Sequence, residues 1–241
     1  ESGASLSDSQ GKGIIQNDDI ERFVNINDIS VLEGDTGQTL AVFDVTVSPS
    51  GQGTVKLDYE TSDGAADASS GDYVAATGSL TFSPGETAKT ITVTINSDYN
   101  FEPDEDFAVS LSNVIGATPQ DTEGSCAILN DDTQKFLSIG NASVSEGDTG
   151  SVNADFTVSL TPVSPIQIDV SYLASDGTAT TADNDYLPAS GSLSFAPGET
   201  TKTISVTVNG DTNAEPNEVF FVNLLNPANA TLDIGQGVGT I

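Results

Sequence analysis

Carboxylate side chains in the connections between predicted strands are the residues of this 241-residue chain whose type and spacing could do chemistry. Between residues 33 and 132 they fall in four segments: Glu33 and Asp35; Asp63 and Asp72; Asp98 and Glu102; and Asp131 and Asp132, which follow Asn130. Carboxylates crowded within a few ångströms cannot all stay ionised unless a cation neutralises them. Ca²⁺ accepts roughly six to eight oxygen ligands from flexible loops, whereas Mg²⁺ demands tighter octahedral geometry. If the four segments converge in the fold, they therefore predict a Ca²⁺ site.

The overall charge points to the same kind of partner. There are 36 acidic and 6 basic residues, which gives a formal net charge of -30. Such a chain repels nucleic acid and anionic lipid, so we expect neither nucleic-acid partners nor direct membrane contact. The lack of histidine removes the usual general base near neutral pH and the usual zinc ligand. One cysteine rules out an intrachain disulfide framework, and we predict that Cys126 is a small buried residue.

No enzyme activity is predicted. Glu102 and Glu105 are the pair that could be imagined as the two carboxylates of a hydrolase. They lie three residues apart on one strand edge, so we expect that they do not face each other across a substrate. No other residues form a catalytic set.

An internal repeat organises the chain, because adding 113 to a residue number maps the first half onto the second without a gap. The sequence EGDTG at 33–37 recurs at 146–150, and SDG at 62–64 recurs at 175–177. The repeated carboxylates are Glu146, Asp148, Asp176, Asp185, Asp211 and Glu215. A partial third copy ends in Asn17-Asp18-Asp19, which adds Asp18 and Asp19 as weaker candidates. We therefore predict the tail of a preceding repeat at 1–19, one domain at 20–132, and a second at 133–241 that lacks the closing Asn-Asp-Asp.

Apolar residues alternate with polar ones along most segments, as in Ile91, Val93 and Ile95, and this period of two is typical of half-buried strands. About seven strands are predicted in the first domain, at 23–32, 39–48, 53–61, 79–82, 87–96, 105–112 and 122–130. The predicted fold is all-β, with two immunoglobulin-like antiparallel β-sandwiches in tandem. Strands that alternate in direction would bring the four acidic segments to one end of the sandwich. The turns at the opposite end, 49–52, 83–86 and 113–121, are poorer in acid.

The combination of motifs resembles tandem Calx-β domains, which occur in sodium/calcium exchangers, integrin β4 and many bacterial surface proteins. The matching motifs are EGD at 33–35, SDGAA at 62–66 with SDGTA at 175–179, Asp72-Tyr73, the paired GSL and PGET runs, and EPDE at 102–105. The closing Asn-Asp-Asp completes them, and the resemblance covers about residues 20–241.

This resemblance implies a set of calcium ligands. In the first domain they are Glu33, Asp72, Asp98, Glu102, Asp131 and Asp132, with a backbone oxygen of Asn100. In the second they are Glu146, Asp185, Asp211 and Glu215, with a backbone oxygen of Asn213. Weaker candidates are Asp35, Asp63, Asn130, Asp148 and Asp176. Ser97 and Tyr99 interrupt a run that is longer and acidic in the exchanger domains, so fewer ions per domain are expected, with the second domain the weaker binder.

The functional hypothesis from sequence is a Ca²⁺-binding repeat module of a larger cell-surface or secreted protein of bacterial type. Calcium would stiffen the loops and inter-domain joints for adhesion or cell communication. The expected partners are calcium ions, adjacent repeats of the same chain, and another surface protein or glycan. Two alternatives remain: a regulatory calcium sensor in a cytosolic loop of an exchanger-like membrane protein, and a structural spacer without calcium. A dissociation constant well below micromolar would favour the sensor.

Overall fold

The computed structural model describes residues 10–16 and 20–241, and the regular structure of these residues consists of β-strands. The strands form four sheets, two from residues 23–129 and two from residues 136–240. This confirms the predicted all-β fold of two sandwiches. In this described part of the chain, no helix has the length and apolar character needed to cross a bilayer.

The first sandwich contains ten strands. They are β1 Phe23–Ile26, β2 Ile29–Leu32, β3 Gly37–Ser48, β4 Val55–Asp63, β5 Tyr73–Val74, β6 Thr77–Phe82, β7 Ala88–Ser97, β8 Glu105–Ile115, β9 Thr118–Pro119 and β10 Glu123–Leu129. One sheet has the order β5-β7-β3-β1-β9, and the other has the order β2-β10-β8-β4-β6. The seven predicted strands are present, together with the short strands β5 and β9.

The second sandwich repeats this arrangement with nine strands. They are β11 Phe136–Ile139, β12 Ala142–Ser143, β13 Gly150–Thr161, β14 Ile168–Asp176, β15 Ser190–Phe195, β16 Thr201–Gly210, β17 Val219–Ala228, β18 Thr231–Ile234 and β19 Gln236–Thr240. Its sheets have the orders β16-β13-β11-β18 and β12-β19-β17-β14-β15.

The first strand of each domain differs from the prediction of one continuous segment at 23–32. It is broken in two, and the halves β1 and β2 belong to opposite sheets. At the break, the Asp28 carboxylate accepts a hydrogen bond from the Ser125 backbone N–H at 2.8 Å. In the second domain, the Asn141 side chain accepts one from the Val238 N–H at 2.9 Å. Where the chain changes sheets, a side-chain oxygen thus accepts a backbone N–H of a neighbouring strand. Strand β1 itself pairs in parallel with β9.

The cores follow the predicted alternation. On β3, Phe43, Val45 and Val47 are buried, while the intervening side chains are exposed. Cys126 is fully buried, and this burial raises the pKa of its thiol to about 11. The thiol is therefore protonated at neutral pH and packs as a small apolar side chain.

An arginine ties together the loops at the end opposite the acidic segments in the first domain. The Arg22 guanidinium donates to the Gly53 carbonyl at 2.7 Å and to the Gly116 carbonyl at 2.8 Å. A Cβ at Gly53 would lie 2.9 Å from the guanidinium, so the absence of a side chain lets the two groups approach. Hydrogen bonds from a charged donor make this a strong local anchor.

Candidate metal centre

Glu33 is the most enclosed carboxylate of the first domain, with 8% of its surface exposed. It follows β2, and its backbone N–H donates to the Leu129 carbonyl at 3.0 Å. Its own carbonyl accepts hydrogen bonds from the hydroxyls of Thr39, at 2.9 Å, and Ser97, at 2.5 Å. Glu33 is therefore held by three segments that are far apart in sequence.

The electrostatics around Glu33 show that it lies among other acids. Burial, and then the negative charges of Asp98, Glu102 and Asp132, raise the pKa of its carboxyl from 4.5 to about 7. Burial disfavours the charged form, and like charges add to that effect. Three of the four predicted acidic segments thus meet at Glu33.

The closing Asn-Asp-Asp is fixed by local hydrogen bonds. The Asp131 carboxylate accepts from the Gly34 N–H at 2.9 Å, which links the fourth segment to the first. The Asn130 side chain accepts from the Asp132 N–H at 3.2 Å, and the Asn130 N–H donates to Asp104 at 3.0 Å. Asp104 is exposed and does not map onto an acid in the second repeat, and its carboxylate helps to position the closing segment.

Asp132 has a carboxylate oxygen that no hydrogen bond satisfies among the described residues. This oxygen, Oδ2, is buried. Burial and the charges of Asp35, Asp131 and Asp98 raise the pKa of this carboxyl, while Lys135 acts in the opposite direction. A buried carboxylate oxygen without a partner is costly, and a cation would satisfy it.

A second group of carboxylates contains Asp72, Glu102 and Glu105. Each offers a carboxylate oxygen, and these atoms all lie within 4.8 Å of one another. Asp72 is oriented by its Oδ2, which accepts from the Asp67 N–H at 2.8 Å and the Ser70 hydroxyl at 2.9 Å. The expectation that Glu102 and Glu105 lie on one strand edge is wrong. Glu102 lies in the loop before β8 and Glu105 is the first residue of that strand, so the two are not on one regular strand edge.

The second domain repeats this group with Asp185, Glu215 and Glu218, whose carboxylate oxygens also lie within 4.8 Å of one another. Burial and the charges of Asp211, Asp185 and Glu146 raise the pKa of Glu215. The group of Asp185, Glu215 and Glu218, together with Glu146, lines a cleft of about 300 Å³. Three acidic segments therefore converge in this domain.

The carboxylates of Asp98 and Asp211 each close a tight turn by accepting hydrogen bonds from the asparagine two residues later. The Asn100 N–H and side-chain amide donate to Asp98 at 2.6 and 2.9 Å. The Asn213 groups donate to Asp211 at 2.6 and 3.1 Å. Asn100 and Asn213 thus shape the loops through their nitrogens, and their predicted role as carbonyl ligands remains a prediction.

The weaker candidates divide into two groups. Asp35 contributes to the charge at Asp132, and Asp148 lines a shallow cleft beside Asp211 and Asn213. Asp63 and Asp176 instead bond to tyrosine hydroxyls in their own domains, at 2.5 Å each. Asp18 and Asp19 lie outside the described residues.

Three residues at the carboxylate clusters escaped the sequence reasoning. Glu105 and Glu218 are related by the repeat offset of 113, and that offset was the signal that could have identified them. Lys135 follows the closing acids by three residues and has 8% of its surface exposed, with its ammonium donating to the Thr133 carbonyl. The sequence pattern gives no indication that this lysine is buried.

The donor set fits a hard cation. Every candidate ligand is an oxygen, and the described candidates hold neither imidazole nor thiolate, the ligands that favour zinc or copper. The unpartnered Asp132 oxygen and the pKa of Glu33, which burial and neighbouring acids raise, are both consistent with a place for a cation. Ca²⁺ meets these requirements better than Mg²⁺, because the ligands lie on loops and are mostly carboxylates.

Fold and site together define a tandem of β-sandwiches with a carboxylate cluster on the loops of each. The family model of the Calx-beta domain matches residues 16–133 and again residues 129–238. The chain therefore belongs to the Calx-beta domain family, and the resemblance stated from its motifs is confirmed.

Sodium/calcium exchangers are among the relatives of this chain. Sodium/calcium exchanger 1 of Canis lupus familiaris is 31% identical over 192 residues, which cover 72% of this chain and 20% of the exchanger. Sodium/calcium exchanger 3 of Mus musculus is 29% identical over 206 residues, covering 77% of this chain and 22% of the exchanger. The chain thus spans about a fifth of the length of these relatives.

Among solved structures, CBD12 from CALX1.2 covers 92% of this chain and 99% of its own, with 20% identity and a TM-score of 0.45. The apo-form Calx CBD1 domain covers 47% of this chain and all of its own, with 26% identity and a TM-score of 0.43.

Proposed function

We propose that this tandem is a regulatory Ca²⁺-binding module whose carboxylate loops respond to calcium concentration. The observation that carries the proposal is the buried, unpartnered oxygen of Asp132 in the first domain, at a point where three acidic segments meet. The remaining segment joins them through Asp72, whose carboxylate lies within 4.8 Å of that of Glu102. Membership of the Calx-beta family supports it, as does the similarity to sodium/calcium exchangers.

Two overlapping groups of ligands would hold the metal in the first domain. One contains Glu33, Asp98 and Asp132, and the other contains Asp72 and Glu105. Glu102 belongs to both, since it raises the pKa of Glu33 and also lies within 4.8 Å of the second group. Bound Ca²⁺ supplies the positive charge that lets all these carboxylates stay ionised.

The consequence is a calcium-dependent gain in stability and loop order. A ligand that binds only the folded form stabilises it by about 2.7 kcal/mol at a hundredfold excess over its dissociation constant. The second domain brings three acidic segments together within residues 133–241. It should therefore bind fewer ions, and bind them more weakly, than the first.

We prefer a regulatory role over adhesion because the matched relatives are exchangers. These relatives lend no specific support to a cell-surface or secreted protein, or to a surface-protein or glycan partner. On this proposal the tandem works in a cytosolic loop of a membrane protein and does not act as an enzyme. A sensor needs a dissociation constant of ~10⁻⁷–10⁻⁵ M, whereas extracellular modules typically show ~10⁻⁴–10⁻³ M.

Calorimetric titration of the metal-free chain with Ca²⁺ tests the proposal. We expect Asp98→Asn and Glu102→Gln to weaken the tighter binding, and Asp211→Asn and Glu215→Gln to weaken the other. Glu60→Gln is the matched control, because it removes an exposed carboxylate from the middle of β4. No heat and no change in melting temperature on adding calcium would refute the proposal and leave a structural spacer.

A further inference from the structure

In each domain, the segment from the SDG motif to the Asp-Tyr motif carries two candidate ligands that have different surroundings. In the first domain these are Asp63, the last residue of β4, and Asp72, which precedes Tyr73. Asp72 lies in the carboxylate group with Glu102 and Glu105. Asp63 is instead engaged by the loop that connects it to Asp72. The sequence treats both as candidate ligands, but the structure separates them.

A single oxygen of Asp63 holds this loop at two points. Its Oδ1 accepts the Tyr73 hydroxyl at 2.5 Å and the Ala68 N–H at 3.1 Å. The hydrogen bond from Tyr73 is the main reason that the pKa of Asp63 is lowered. Burial, followed by the same bond, raises the pKa of Tyr73 to about 12. Both pKa shifts are those expected when a neutral phenol donates a hydrogen bond to an ionised carboxylate.

Tyr73 connects this bond to β8, the strand that carries the proposed ligand Glu105. Its ring is 2% exposed and stacks on Phe107, with ring centroids 4.4 Å apart and planes 13° apart. Phe107 lies two residues after Glu105 on β8. The ring therefore fixes the place of Asp72, its neighbour in sequence, against the strand that carries Glu105.

The second domain contains the same arrangement. Asp176 Oδ1 accepts the Tyr186 hydroxyl at 2.5 Å and the Thr181 N–H at 3.0 Å. The Tyr186 ring stacks on Phe220 at 4.6 Å and 19°. Recurrence of each bond and each stack at the equivalent positions shows that the arrangement belongs to the repeat.

We propose that Asp63 with Tyr73, and Asp176 with Tyr186, are positioning pairs that lock the loop bearing Asp72 or Asp185 and do not themselves ligate calcium. This inference rests on the proposed calcium function, whose ligands they would position. The aromatic stack sets the distance between two ligand-bearing segments, and the phenol–carboxylate bond sets the loop between them. A charge-assisted hydrogen bond between well-ordered groups suits this role.

Three variants at the first pair distinguish positioning from ligation. Asp63→Asn keeps an oxygen acceptor for both donors but removes the charge, so a positioning role predicts a change in calcium affinity of less than about threefold. Asp63→Ala removes both hydrogen bonds, and Tyr73→Phe removes one while keeping the stack. Each of these should weaken first-domain binding by about tenfold, since about 1.4 kcal/mol corresponds to a factor of ten. Tyr59→Phe, on the same strand as Asp63, is the control.

Calorimetry with Ca²⁺ and amide hydrogen exchange give independent readouts. The proposal expects faster exchange at Ala68 in Asp63→Ala and Tyr73→Phe, but not in Asp63→Asn, in the metal-free protein. If Asp63→Asn weakens binding as much as Asp63→Ala, Asp63 is a ligand and the proposal fails. It fails equally if Tyr73→Phe behaves like Tyr59→Phe in both measurements. If the wild type binds no calcium, the proposed function fails and the positioning role with it, while the exchange at Ala68 still shows whether the hydrogen bonds lock the loop.

Discussion

Calcium binding by the first domain should compete with protonation of Glu33. The pKa of this carboxyl is raised from 4.5 to about 7 by burial and by the charges of Asp98, Glu102 and Asp132. In the metal-free protein this group therefore favours the folded state fully below pH 4.5 and loses that contribution as the pH rises through about 7. The upper limit of the effect is about 3 kcal/mol, since one pKa unit corresponds to about 1.4 kcal/mol. Calcium reverses the trend, because it favours the ionised carboxylate.

The magnitude follows from the fraction of Glu33 that is ionised. With a pKa of about 7, about one in ten molecules is ionised at pH 6 and about nine in ten at pH 8. The apparent dissociation constant for Ca²⁺ should therefore be about tenfold larger at pH 6 than at pH 8. Binding at pH 7 should release about half a proton from this group.

Titration calorimetry in buffers of different ionisation enthalpy measures both quantities. Phosphate has to be avoided, because it precipitates calcium. Glu33→Gln should abolish this part of the proton release and bind more weakly at every pH. A dissociation constant that changes by less than about twofold between pH 6 and 8, with a heat independent of the buffer, would show that Glu33 is already ionised and refute the reasoning.

Three further predictions address residues outside the original ligand set. Replacing Lys135 by Gln removes the cation that opposes the rise in the pKa of Asp132, so Ca²⁺ should bind the first domain about three- to tenfold more tightly, as measured by calorimetry; unchanged affinity would mean that the ammonium is screened. Glu105→Gln should weaken first-domain binding by about tenfold or more and Glu218→Gln should do the same in the second domain, each leaving the other domain as its internal control; equal effects in both domains would contradict separate sites. Arg22→Ala should lower the free energy of unfolding by about 1–3 kcal/mol in a thermal melt without calcium, since two carbonyls lose a charged donor, and a loss of calcium affinity instead would contradict a purely structural role.

The fold was largely predictable because alternation of apolar residues specifies which face of a strand is buried. Val45 and Val47 on β3 and Ile91 and Val93 on β7 are buried as that pattern requires. The break in the first strand was not predictable from alternation, because it depends on a hydrogen bond from a residue 97 positions later in sequence to Asp28. A long-range contact of this kind leaves no periodic signal.

The candidate site was predictable in part, and for a related reason. Strand direction alone brought together the segments of Glu33, Asp98 and Asp132, whose charges influence one another in the structure. Glu105 was missed because it was treated as part of a regular strand edge, although the strand begins only at that residue. The distinct surroundings of Asp63 could not be read from residue types, since a ligand and a positioning carboxylate are chemically the same side chain.

The two domains show how one repeat yields sites of different charge. Both keep the group of one aspartate and two glutamates within 4.8 Å and the tyrosine stack that supports it. The first domain adds Asp131 and Asp132, and Lys135 follows them closely enough to oppose part of their charge. An ammonium near a crowded carboxylate cluster reduces repulsion when calcium is absent, and it also lowers the affinity for calcium when it is present. The extra acids should therefore give the first domain its tighter binding, while Lys135 limits how tight that binding becomes.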